Sequence, residues 1–147
     1  MKIDNGTLVM VADGTKMLLF KNDGNAKYPV LTTLLHKEIE NPPSHGQGSD
    51  TPGRSFASSG DRRSSYSETD WHRQAQEKFA AHAETELERA ASRDNAGIVV
   101  IAPPRTLGEL RKHYGKRVKQ QLLAEIPKDL AGHVTDDIVE VIGNYTL

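Results

Sequence analysis

The chain opens with apolar runs too short for helices and too regular for loops. "TLVMVA" (7–12) is continuous and rich in branched side chains, the pattern of a strand covered on both faces. Asp13-Gly14 follows, a hairpin-turn pair, and "KMLLFK" (16–21) returns. A second Asp-Gly at 23–24 leads to Pro29 and "VLTTLLHKEIE" (30–40). The spacing predicts three strands in an antiparallel meander.

The rhythm then stops. Residues 41–66 hold four Gly, three Pro and seven Ser, with Phe56 and Tyr66 the large apolar residues. Such a segment cannot bury enough surface to pack as an element, so it reads as a long loop. Periodicity resumes at 67–92, where Trp71, Ala75, Phe79, Ala83, Leu87 and Ala90 recur every three or four residues. That spacing predicts a long amphipathic helix, capped by Ser67 or Thr69, with Asp70 in its positive first turn.

"AGIVVIA" (96–102) reads as another buried strand. After Pro103 and Pro104, Thr106 and Glu109 have the spacing of a capping box, and Gly115 suits the helix's C-terminal end. "QQLLAEI" (120–126) fits a strand or a short helix, with strand preferred, and Thr135 opens a last helix through about Asn144. The predicted order is β-β-β-α-β-α-β-α. A meander followed by crossovers gives an α/β fold of ribonuclease H-like type: one mixed sheet, helices on both faces, and a long loop before the first helix. A single domain over 1–147 follows from the length.

Charge narrows the function classes. With 19 basic and 20 acidic residues, whole-surface attraction to nucleic acid is not expected, so any anion binding must be local. There is no cysteine, which excludes thiolate metal sites, cysteine nucleophiles and disulfides. The apolar run Leu8–Ala12 is too short for a secretory core and no stretch reaches membrane-span length, so a cytoplasmic protein without a membrane partner is expected.

Ribonuclease H-like nucleases hold two metal ions on carboxylates from the first strand, first helix and fourth strand. Asp13 and Glu77 or Glu84 could serve, but the fourth strand ends in Ala102, Pro103 and Pro104. No metal site or cofactor is therefore expected. The six histidines make no H-E-x-x-H, and no G-x-S-x-G elbow is present.

The remaining candidates bind rather than react. Arg54, Arg62 and Arg63 lie among serines and glycines, a composition able to hold a phosphate backbone. Asp70 and His72 form a polar pair where the loop meets the helix. Arg105 and Thr106 stand where strand four ends beside a helix N-terminus, an arrangement that favours an anion.

"GTLVMVADGTKMLLFKN", "NPPSHGQGSDTPGRSFAS", "TDWHRQAQEKFA", "APPRTLGELR" and "EIPKDLAGH", in this order, resemble the bacterial host attachment protein family. The resemblance implies kinship with the middle domain of archaeal and eukaryotic peptide release factors. In that domain the loop before the first long helix carries a Gly-Gly-Gln tripeptide that promotes peptidyl-tRNA hydrolysis. Here the corresponding segment holds Gly46-Gln47-Gly48 instead. The resemblance thus implies a ribosome- or tRNA-associated factor without release chemistry, whose working face includes Gln47. A protein-interaction role in attachment to host cells and a peptidyl-tRNA hydrolase are the alternatives.

Overall fold

The computed structural model describes residues 1–39, 57–93 and 95–146, with only the helical backbone given over 57–72. Strands β1 (Leu8–Ala12), β2 (Lys16–Asn22) and β3 (Leu31–Glu38) precede helix α1 (Ala57–Arg93). Strand β4 (Ile98–Ile101), helices α2 (Pro104–Arg111) and α3 (Lys116–Gln121), strand β5 (Leu122–Ile126) and helix α4 (Thr135–Asn144) complete the order. The result is a mixed α/β fold on one five-stranded sheet, ordered β3-β2-β1-β4-β5.

β1 pairs antiparallel with β2 and parallel with β4, and β4 pairs parallel with β5. Every residue of β1 and β4 is buried, as their unbroken apolar sequences require. Their alternation sorts two cores. Leu8, Met10, Ala12, Ile98 and Val100 face Phe79, Ala83 and Leu87 of α1, Leu107 and Leu110 of α2, and Val118 of α3. Val9, Val11, Val99 and Ile101 face Ile138 and Ile142 of α4, with Ile3 and Ile126. A one-residue slip of β1 would exchange these sets, so register and helix placement specify each other.

The Asp13 turn forms as its sequence predicts: Asp13 Oδ1 accepts from the amides of Thr15 (2.8 Å) and Lys16 (2.7 Å). Asn22 is wholly buried at the far end of β2. Its Nδ2 donates to the carbonyls of Ile3 and Asp4, and its Oδ1 accepts from the amides of Gly24 and Val30, both at 2.9 Å. One side chain therefore ties the N-terminal segment to the β2–β3 connection. Gly6 completes the corner at φ +90°, donating to the Asn22 carbonyl at 2.7 Å.

Several sequence expectations change. The first helix begins at Ala57, so 57–66 is helix rather than the second half of a 41–66 loop. Ser67, Thr69 and Asp70 consequently lie within the helix and not at its start. Ala and Arg offset the weak propensity of Ser and Gly there, since extending an existing helix adds a hydrogen bond per residue. Thr106 and Glu109 form no capping box: Pro103 is the N-cap, no side chain caps the helix, and Thr106 sits inside the first turn. Pro104 sets that start, because its fixed φ suits the first helical position. Gly115 does not close α2, which ends at Arg111; it is the N-cap of α3, a helix absent from the predicted order. Strand β5 follows directly.

Replacing Asn22 by Ala strands the buried carbonyls and amides it satisfies. The expected loss is about 2–4 kcal/mol of unfolding free energy, read from urea denaturation midpoints. A change below about 0.5 kcal/mol would show that Asn22 does not organise the corner.

Candidate functional site

The sheet changes direction at β1, and there, past the C-terminal ends of β1 and β4, the chain forms a small cleft. Ala12, Asp13 and Gly14 line one side, Gln76, Phe79 and Ala80 of α1 another, and Arg105, Thr106 and Glu109 of α2 the third. Parallel neighbours at a change of strand order leave such a crevice. Gln76 packs over the turn, close enough that a Cβ at Gly14 would lie 3.1 Å from its Nε2. The cleft is narrow, about 20 Å³, room for one water. A larger ligand could only lie across its mouth, where Arg105 is exposed.

The helix start gives that mouth its polarity. Four backbone N–H groups of an α-helix normally lack partners at this end. Here two of the four positions are prolines, so only the amides of Arg105 and Thr106 remain, and no side chain caps them. Together with the Arg105 guanidinium they favour an anionic group. Glu109 opposes it from the next turn. Its Oε1 accepts from Lys112 at 3.2 Å, and its Oε2 is buried without a hydrogen-bond partner.

Asp13 is committed to its turn, and Glu84 points elsewhere. Among the described residues no group of three or more His, Asp or Glu side chains converges as metal ligands. Of the binding candidates singled out from sequence, Arg105 and Thr106 are the two whose side chains are described, and both line this cleft. Arg62, Arg63, Asp70 and His72 fall on the α1 backbone, with their side chains outside the description, and Gln47 and Arg54 lie outside the described residues.

A second polar cluster escaped the sequence reading. Glu84, nearly buried at 7% exposure, accepts from the Gly115 amide at 2.7 Å. Glu88, one turn on, accepts from the amides of Arg117 and Val118, each at 3.1 Å. Two carboxylates of α1 thus cap α3, which has no side-chain cap of its own. Gly115 permits the approach: a Cβ there would sit 2.7 Å from Glu88 Cδ. On the outer side Glu125 receives Arg111 Nε at 3.0 and 3.1 Å and Tyr114 Oη at 2.7 Å. Burial and this bond push the Tyr114 hydroxyl far above its usual range, so it remains a donor. The Glu84/Glu88 spacing of four and the cations of "RKHYGKRVK" were the available signals.

The family model described as bacterial archaeo-eukaryotic release factor family 12 matches residues 6–142, so the chain belongs to that family. No individually curated protein matches it. No helix among the described residues is long and apolar enough to cross a membrane.

Burial raises the Glu84 pKa above its ordinary 4.5, outweighing the Gly115 amide, which acts to lower it. A raised folded-state value means that the fold binds this proton more tightly than the unfolded chain does. Its contribution is therefore present below pH 4.5 and lost as pH rises through the raised value. Glu84→Gln keeps an acceptor for Gly115 and removes the buried charge. Its stability relative to the parent is expected to increase from pH 4 to pH 7.5 in urea titrations; a pH-independent difference would contradict the burial argument.

Proposed function

We propose that this member of bacterial archaeo-eukaryotic release factor family 12 is a cytoplasmic, ribosome- or RNA-associated factor built on the plan of a release-factor middle domain. The observation carrying this reading is the family match over residues 6–142. The sheet order β3-β2-β1-β4-β5, antiparallel through β1 and parallel beyond it, supports the ribonuclease H-like assignment.

On this reading the working face combines the segment before α1, carrying Gln47 and Arg54, with Arg62, Arg63, Asp70 and His72 of α1 and the Arg105–Thr106 start of α2. The role is binding rather than catalysis, since the segment that corresponds to the Gly-Gly-Gln loop holds Gly46-Gln47-Gly48 and no Gly-Gly-Gln. An attachment phenotype, which the likeness to host attachment proteins implies, would then arise indirectly through translation.

The protein is expected to co-sediment with ribosomes at low salt, where phosphate contacts are strongest. Arg54→Ala and Arg105→Ala should each weaken that association about 3–10-fold, the size of one lost charge-assisted contact. Absence of the protein from the ribosomal pellet at 50 mM salt would refute the proposal. In a peptidyl-tRNA release assay, Gln47→Ala should leave the rate at the parent's background level; a fall of tenfold or more would instead establish a hydrolase.

A further inference from the structure

Residues 111–119, "RKHYGKRVK", hold five of the chain's 19 Lys and Arg residues, with His113 and without an acidic residue. In a chain of formal charge −1 this is a marked local concentration. The fold determines which of these charges face outward. Four carboxylates approach the α2–α3 corner, and each has a partner there. Glu84 and Glu88 serve the amides of Gly115, Arg117 and Val118; Glu125 serves Arg111 and Tyr114; Glu109 serves Lys112. Among the described residues no ion pair reaches Lys116, Arg117 or Lys119, and all three are exposed. The glutamates that could neutralise this surface are used from beneath to build the helix that displays it.

We propose that the exposed face of α3 (Lys116, Arg117 and Lys119, with His113 beside them) is a contact for the phosphate backbone of RNA. It is separate from the Arg105 cleft and rests on the RNA-association reading only for the class of its partner. Charge complementarity selects that partner. Lys116 and Lys119, three apart on α3, stand about 5–6 Å apart with Arg117 flanking Lys116, while an RNA strand presents a negative charge every few ångströms. Arg117 supplies a forked donor, and the exposed His113 and Gln120 add further hydrogen-bonding groups. A protein partner would need an apolar or aromatic anchor, and lysine is depleted in such interfaces. Here Val118 is fully buried and the Tyr114 hydroxyl is turned onto Glu125. A lipid surface would require an exposed apolar face as well, and α3 offers none. The contact is blind to sequence, because it reads charge and not bases.

The test is binding of a synthetic RNA hairpin by fluorescence anisotropy between 50 and 200 mM salt, for the parent, Lys116→Gln/Arg117→Gln/Lys119→Gln, and Arg105→Ala. A charge-preserving set, Lys116→Arg/Arg117→Lys/Lys119→Arg, guards against a folding effect. The neutral triple variant is expected to bind roughly tenfold or more weakly and to lower the slope of log K against log salt by about 2–3, with the charge-preserving set close to the parent. Unchanged affinity and slope in the neutral variant would overturn the assignment, while weakened binding by Arg105→Ala alone would leave the broader reading standing. Failure of the parent to bind the hairpin at 50 mM salt would also overturn it, and ribosome co-sedimentation would still report separately on the broader reading. Lost ribosome association with unchanged hairpin affinity would place an acidic protein on this face and reject RNA.

Discussion

The double role of β1 is the constraint on which the rest of the fold depends. One five-residue strand pairs antiparallel on one side and parallel on the other, and is buried on both faces. The parallel bond to β4 forces the chain to leave the sheet after β3 and return alongside β1, a return that α1 spans. It also aligns the C-terminal ends of β1 and β4, which is why Asp13 and Gly14 meet Arg105 and Thr106 although some ninety positions separate them in sequence. Two long-range pairings of apolar backbone therefore position the cleft.

This constraint explains what was legible in the sequence. β1, β4 and α4 were readable because burial on both faces, or on one stripe, leaves an unambiguous pattern in a few residues. The start of α1 was not, because "ASSGDRRSSY" has loop composition, and composition does not record that a helix already exists on its C-terminal side. The capping box failed for a related reason. Thr106 and Glu109 have the right spacing, but Pro104 takes the first helical position and shifts the start three residues earlier, with the N-cap at Pro103 instead of Thr106. That shift changes the chemistry: a box would have satisfied the amides of the first turn, whereas the helix as formed leaves those of Arg105 and Thr106 uncapped.

Helix α3 was illegible in principle. Six residues with Val118 as their buried side chain cannot sustain a helix through their own propensity. Its start is fixed by Glu84 and Glu88, about thirty residues earlier, and no local window contains both partners. Gly115 reads locally as a stop signal, yet what the fold requires of it is the absence of a side chain beneath Glu88. The spacing of Glu84 and Glu88 and the density of cations in "RKHYGKRVK" were visible, without any indication that the one would meet the other or of which cations would be neutralised.

That last distinction underlies the phosphate contact proposed for α3 on a nearly neutral chain. Beyond the screening length, about 8–10 Å at physiological salt, charges are largely screened, and the chain's net charge is in any case close to zero. Within that length only the local arrangement matters. A glutamate that accepts from backbone amides has its lone pairs directed inward, and its charge is partly offset by the helix terminus it caps. The cations on the outer side of the same helix face solvent, with no ion-pair partner among the described residues. Removing Glu88 would make the corner more positive in formal charge, but it would also release the amides that fix α3 and so disorder the surface that presents Lys116, Arg117 and Lys119. Acidic residues in this corner thus support a basic surface, and a tally of charges along the sequence would credit them with the opposite effect.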